Sequence, residues 1–220
     1  MHTVRILKVG PVTHDVRRFT VEKPEGFRFE PGQATEVAIN RSGWDEQKRP
    51  FTFTSLNEWP DLEFTIKIYS DHDGVTNQLG RLGAGDELLI DDPWGTIQYQ
   101  GPGYFIAGGA GVTPFIAILR QLANDRQLAG NTLLFSNKTS RDVILREEFE
   151  AMDGLACVFT VTDEPAPDLE NRLIDPAFLD DHVADFNKHF YVCGPPQMVD
   201  DIKRHITALG GRADAIVFEA

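Results

Sequence analysis

The chain has 220 residues, enough for one large domain or two small ones that each bury a core. Its hydrophobic content of 41% and charged content of 25% are ordinary for a globular protein, and a formal charge of −13, spread over both halves, argues against nucleic acid as a partner. The two cysteines cannot supply the four thiolates of a plant-type iron–sulfur cluster or a disulfide framework, and the six histidines lack zinc-type spacing, so no metal is expected.

The first residues, Met-His-Thr-Val-Arg-Ile-Leu-Lys-Val, alternate like a strand and lack the apolar run of a signal peptide. No stretch is long enough to span a bilayer, so a cytoplasmic protein without membrane insertion is expected. Residues 3–9, 18–22, 34–39, 51–55, 62–69 and 86–91 are short alternating or β-branched runs separated by Gly, Pro and Asn-rich punctuation. About six strands at this spacing predict an antiparallel sandwich or barrel. A short helix is predicted over Thr76–Leu82, with Thr76 as its cap. Gln100-Gly-Pro-Gly103 then reads as a linker.

Beyond residue 103 the pattern changes. Apolar strands at Tyr104–Ala107, Thr132–Ser136, Leu155–Thr162, His189–Cys193 and Ala215–Phe218 alternate with helices at Pro114–Asn124, Asp142–Met152, Pro176–Val183 and Pro196–Leu209. That alternation predicts a parallel five-stranded sheet covered on both faces. Ligands of such sheets lie off the carboxyl ends of the strands, which places Gly108–Thr113, Ser136–Thr139, Thr162–Glu164 and Cys193–Pro195 along one rim. Two domains in series are expected, residues 1–99 and residues 100–220.

Three segments carry chemistry. Arg49-Pro50-Phe51-Thr52-Phe-Thr-Ser55 offers a guanidinium that can grip a pyrophosphate, an aromatic face and hydroxyls, although a barrel strand with a surface arginine would look the same. Gly108-Gly109-Ala-Gly111-Val112-Thr113-Pro114 follows a strand and opens a helix, with a spacing unlike the Rossmann fingerprint. Tyr191-Val-Cys193-Gly194-Pro195-Pro-Gln-Met198 ends a strand in a thiol on the same rim, whereas Cys157 reads as an ordinary core cysteine.

These segments, in this order, resemble the ferredoxin–NADP reductase superfamily over essentially the whole chain. Arg49–Thr52 is similar to its Arg-x-Tyr-Ser signature, with Phe51 in the tyrosine position and Thr52 in the serine position. The resemblance implies that Phe51 stacks on the isoalloxazine of FAD, Thr52 bonds near its N5, and Arg49 holds its phosphates, with Pro50 also in the cofactor site. Lys67-Ile68-Tyr69 and Gly74-Val75-Thr76 resemble the second flavin segment, and Pro93-Trp-Gly95 a family turn. Gly109, Gly111, Val112 and Thr113 would receive the nicotinamide, with Thr113 near its carboxamide and the Cys193 thiol beside its C4, and Gly194 and Pro195 would complete the nucleotide site. Phe218 would cover the flavin, with Glu219 near N5.

The resemblance implies an N-terminal Greek-key β-barrel holding FAD and a C-terminal α/β domain holding NADH or NADPH. The expected function is hydride transfer from the dinucleotide to flavin, with Thr52, Cys193 and Glu219 as the catalytic set. Electrons would then pass to a small carrier such as flavodoxin or ferredoxin from a monomeric, stand-alone reductase. Reduction of free flavin or ferric chelates, or a flavin-sensing module with little turnover, are the alternatives. Asp163 and Glu164 follow the third strand of the second domain, where a carboxylate can accept from a ribose 2′-hydroxyl and repel a 2′-phosphate. They favour NADH unless they form only a solvated loop. Asn137 and Lys138 line the neighbouring exit, where Lys138 and Arg141 pull toward NADPH.

Overall fold

The computed structural model describes residues 1–71, 73–95, 97–212 and 216–218, with only the backbone of Ile216 and Phe218. Six antiparallel strands, β1 (His2–Pro11), β2 (Val16–Val21), β3 (Ala34–Ile39), β4 (Arg49–Thr52), β5 (Leu62–Lys67) and β6 (Glu87–Ile90), lie in the order β4-β3-β6-β1-β2-β5. β1 serves both halves of this sheet. Its residues 2–5 pair with β6, and the register shift between Ile6 and Lys8 turns the rest onto β2. The outer strands meet where the Thr54 amide donates to the Glu63 carbonyl at 2.8 Å, so the sheet closes into a Greek-key barrel. Phe19, Phe53 and Phe64 fill it without exposed surface, each worth roughly 1.5–3 kcal/mol of burial.

That closure corrects one expected strand. β4 begins at Arg49 and ends at Thr52, because the chain then leaves β3 and crosses to β5. The barrel end is plugged by helix α1 (Val75–Leu79), whose Val75 and Leu79 enter the core with Leu82 behind them. Thr76 does not cap it. Gly74 holds the cap position, and no side chain bonds the first turn.

In the second half, β7 (Gly103–Gly108), β8 (Thr132–Asn137), β9 (Ala156–Val161) and β10 (His189–Cys193) form a parallel sheet. β11 (Ile216–Phe218) joins the β10 edge. The sheet thus has four strands of five or six residues, and the expected fifth is only three residues long. Successive strand residues face opposite layers. Phe105, Leu133, Phe135 and Tyr191 pack with α2 (Thr113–Asn124) and α3 (Arg146–Glu150). Tyr104, Ile106, Leu134, Phe190 and Val192 pack with α4 (Pro176–His182) and α5 (Pro196–Ala208). Burial on both sides is why these strands read as unbroken apolar runs. The helix expected over 142–152 is split into a 3₁₀ turn at Ser140–Asp142 and the short α3, because Leu145 takes a left-handed backbone at φ 54°.

The two halves share a core. Val16 and Ile97 of the barrel half belong to the apolar cluster around α2. The connecting segment is pinned as well. The Tyr191 hydroxyl accepts from the Gln100 and Gly101 amides at 2.9 and 3.1 Å and donates to the Gly101 carbonyl at 2.8 Å. Burial, partly offset by those amide bonds, raises the pKa of this phenol and keeps it a donor.

Candidate active site

On the barrel, β4 pairs with β3 so that Thr52 stands opposite Ala34 and Phe51 opposite Thr35. Thr52 is buried, while Phe51 is half-buried with its ring against the barrel core. Arg49 is exposed, and its guanidinium donates to the Lys48 carbonyl at 2.7 Å. The neighbouring Lys48 is occupied by Asp91 at 2.5 Å, which leaves Arg49 as the cation that β4 itself presents. Pro50 is exposed beside it. Ala34 is bridged on its other side to Trp94, a residue 42% exposed. The sequence pattern shows this aromatic only as part of a turn.

The second flavin segment is less available than expected. The Lys67 ammonium sits 2.9 Å from Asp15, and the Ile68 amide donates to the Asp15 carbonyl at 2.8 Å. Burial works against the Asp15 carboxylate, but hydrogen bonds from Lys67 and Thr13 outweigh it and hold its pKa below 3.8. Ile68 packs on the barrel core and Tyr69 is exposed. Lys67 and Ile68 therefore tie the β1–β2 loop to β5, a structural duty the sequence pattern did not show. Gly74, Val75 and Thr76 form the uncapped entrance of α1, with Val75 anchored in the core and Thr76 half-buried.

On the nucleotide side the rim is assembled as expected, although two glycines serve a different need. Gly109 has φ +52° and faces open space, a backbone that side chains rarely adopt. Gly108 and Gly111 are required by close packing instead. A Cβ on Gly111 would stand 2.6 Å from the Gly194 Cα and nearer still to the Cys193 carbonyl, and one on Gly108 would overlap the Met198 sulfur. The missing side chain at Gly111 makes room for protein backbone, so it joins the two nucleotide motifs directly. Val112 is buried, and the Thr113 hydroxyl donates to the Ala110 carbonyl at 3.0 Å.

Cys193 is half-buried at the end of β10, between that glycine turn and the exposed Pro195 that opens α5. Cys157, the other thiol, is half-buried as well. Burial and the nearby Glu150 push the Cys157 pKa up to about 11, consistent with a packing role.

Asn137 is 5% exposed, and among the described residues neither its side-chain amide nitrogen nor its oxygen has a hydrogen-bond partner. Buried polar groups are rarely left so. An unmatched donor and acceptor beside the strand exits fit a polar ligand such as a dinucleotide. The Asp163 amide donates to the Lys138 carbonyl at 2.9 Å, so the acidic and basic candidates are neighbours. One Asp163 carboxylate oxygen accepts from the Thr162 hydroxyl at 2.8 Å. The side chain of Phe218 and all of Glu219 lie outside the described residues.

Sequence reasoning missed a buried ionic junction between the halves. Arg120 of α2 reaches Glu63 at 2.7 Å and Glu148 at 2.5 Å. The available signal was an arginine inside an apolar helical run, and a glutamate inside Leu62-Glu-Phe-Thr-Ile66.

Comparison with known proteins agrees with this division. Residues 3–99 match the oxidoreductase FAD-binding domain and residues 105–204 the oxidoreductase NAD-binding domain. The chain thus joins an FAD-binding and an NAD-binding oxidoreductase domain in series. It is 28% identical over 218 residues to NADH-cytochrome b5 reductase 2 of Mycosarcoma maydis, covering 89% of this chain and 62% of that protein. It is 26% identical over 234 residues to the reductase component of propane 2-monooxygenase from Rhodococcus jostii (strain RHA1), covering 98% of this chain and 62% of that protein. The chain thus spans about three-fifths of these relatives. A ferredoxin NADP+ reductase from Neisseria gonorrhoeae with bound FAD and NADP superposes with a TM-score of 0.86 at 21% identity, over 99% of this chain and 97% of that one. Among the described residues, no helix is long and apolar enough to cross a membrane.

Proposed function

We propose that this protein is an NAD(P)H-dependent flavin oxidoreductase that draws on NADH and delivers electrons to a small carrier, flavodoxin or ferredoxin. The carrying observation is the packing of Gly111 on Cys193 and Gly194, which gathers the turn, the thiol and the start of α2 into one rim. When bound, FAD would accept at N5 the hydride leaving nicotinamide C4, two electrons with one proton, and pass the electrons on.

The chain's own residues supply placement. Arg49 neutralises the pyrophosphate, Phe51 offers a flat face, and the Thr52 hydroxyl bonds the flavin edge. Thr113 and the backbone of Gly109–Val112 seat the nicotinamide, with the polarisable Cys193 sulfur against its reacting carbon. Asn137 gains partners from the dinucleotide. Asp163 accepts from the ribose 2′-hydroxyl and disfavours a 2′-phosphate, although Lys138 stands beside it. The relative named as an NADH-dependent reductase supports this donor choice, and the one named as an oxygenase reductase component supports a separate acceptor.

The test is anaerobic reduction of FAD-loaded protein by NADH and by NADPH, followed by transfer to purified flavodoxin, ferredoxin, free flavin or ferric citrate. Faster reduction by NADH and turnover with a protein carrier support the proposal. Flavin that neither donor bleaches, or turnover only with the small acceptors, overturns it.

A further inference from the structure

The buried junction between the halves is more than a link. Arg120 is 8% exposed and uses three nitrogens. Its Nη1 donates to the Thr54 carbonyl at 2.5 Å and to Glu63 Oε1 at 2.7 Å, both on the barrel. Its Nε and Nη2 donate to the two carboxylate oxygens of Glu148 in the nucleotide half, at 2.5 and 2.9 Å. The Thr54 hydroxyl donates to the same Glu63 oxygen at 2.8 Å, and Arg18 of β2 lies 3.5 Å from Glu63 and 3.9 Å from Glu148. Trp59 lies against the Arg120 guanidinium at 5.1 Å. Two cations and two anions balance, and the planar fork of arginine holds a geometry that a point charge cannot.

The position of this fork matters as much as its strength. Thr54 is two residues beyond Thr52, and Arg120 is seven residues, two helical turns, beyond Thr113. The bond from Arg120 to the Thr54 carbonyl therefore joins the strand exit next to the proposed flavin contact to the helix that grows from the proposed nicotinamide turn. Other polar contacts among the described residues also cross between the halves, including Asn124 to Glu58 at 2.9 Å and His14 to Asp142 at 3.6 Å, and these two involve side chains more exposed than Arg120. Hydride transfer needs reacting atoms within about 3–3.5 Å, and a shift of roughly 1 Å can cost two orders of magnitude in rate.

We propose that Arg120 is a positioning residue for hydride transfer, locking the barrel strand that carries Thr52 to the helix that carries Thr113 and so setting the gap between the two ring sites. This rests on the site reading given above. Arg120 touches neither ring. It acts through the Thr54 carbonyl and the Glu148 carboxylate.

The experiment compares wild type with Arg120→Lys, which keeps the charge and loses the fork, and with Glu148→Gln, which weakens the nucleotide-side arm and its Arg18 contact, leaves Thr54 and Glu63 in place, and guards against misfolding of the first variant. FAD-loaded proteins are mixed anaerobically with NADH, following flavin reduction and the long-wavelength charge-transfer band, and cofactor-free proteins are followed by hydrogen exchange. Arg120→Lys is expected to slow the limiting reduction rate by about tenfold or more and to weaken the charge-transfer band. Its FAD content should be unchanged and its NADH dissociation constant within about twofold of wild type. Glu148→Gln should show the same pattern with a smaller loss. Exchange should quicken in residues 52–56 and 113–124 and stay unchanged in the β1–β2 hairpin.

An Arg120→Lys protein that melts earlier but, once loaded with FAD, is reduced at the wild-type limiting rate overturns the positioning role while the site reading stands. A wild-type protein that binds FAD and is reduced by neither dinucleotide overturns the site reading and the proposal with it.

Discussion

On the nucleotide rim the key segments are held by backbone packed on backbone, with Gly111 against Cys193 and Gly194, whereas on the barrel they are side chains carried by β4. Where main chain meets main chain at Gly111 there is no room for an extra atom, so residue identity at that position is fixed by sterics. A strand face is more forgiving. Phe51 and Thr52 stand where the resembled signature has tyrosine and serine, and they keep a flat ring and a hydroxyl. Substitutions should therefore act mainly through structure on the rim and mainly through local chemistry on the barrel.

Gly111→Ala is the hardest test of that contrast. The added methyl has no space, so an overpacking cost of about 1–3 kcal/mol is expected, with Tm falling about 2–4 °C for each kcal/mol in a chain of this size. Displacement of Cys193 should slow flavin reduction by roughly 100-fold. Thermal melts and stopped-flow reduction measure both, and a variant as stable and fast as wild type would show that the rim backbone yields. Gly109→Ala is the companion change, facing open space but paying left-handed strain of about 1–2 kcal/mol.

Next in size are Thr52→Ala and Cys193→Ala. Each should slow reduction by roughly tenfold at unchanged FAD content, the signature of one lost contact near the transition state. An unchanged rate in Cys193→Ala would return that thiol to simple packing. A smaller and more selective effect is expected at the strand exits. Asp163→Ser should move the ratio of kcat/KM values toward NADPH by several-fold, roughly 1 kcal/mol, and Lys138→Ala should move it the other way. A ratio that ignores both would place the 2′ position elsewhere.

The least effect belongs to Asp15 and Lys67, where the expected flavin ligand is a tether. The Asp15 pKa is lowered in the folded protein. Its contribution to stability is therefore present above the unfolded value and is lost as pH falls through the lower folded value. Asp15→Asn should lower stability near neutrality by less than about 1 kcal/mol and leave it nearly unchanged toward pH 3, so that the acid limb of the stability profile flattens. Urea melts from neutral pH to pH 3 would show it, and a larger loss at neutral pH would give the tether more weight than its partial exposure suggests.

Much of this molecule is written in one-dimensional pattern. Strands covered on both faces, such as Tyr104–Ala107 and His189–Cys193, can hardly read otherwise, and the glycine turn and thiol that follow them are conspicuous because they interrupt apolar runs. The split of 142–152 was not legible, since the left-handed backbone of Leu145 comes from tertiary context and leucine gives no sign of it. Gly111 was noticed for the right reason, a close approach, but the approaching group is the Cys193–Gly194 backbone. Arg120 was invisible as a junction because its partners Thr54, Glu63 and Glu148 are scattered over 95 residues of sequence; only the fold brings them to one guanidinium.

The Tyr191 hydroxyl carries a consequence for anyone recombining these domains. The loop around Gln100 resembles a natural crossover point, yet it is fastened by a side chain that arrives 90 residues later. A chimaera spliced there would keep the loop and discard its latch, and the incoming half would meet Val16 and Ile97 with whatever apolar surface it happened to bring. Exchange of the nucleotide half should succeed when the segment from Ile97 onward travels with Tyr191 as one cassette, and when the recipient barrel supplies a residue of valine's size at position 16.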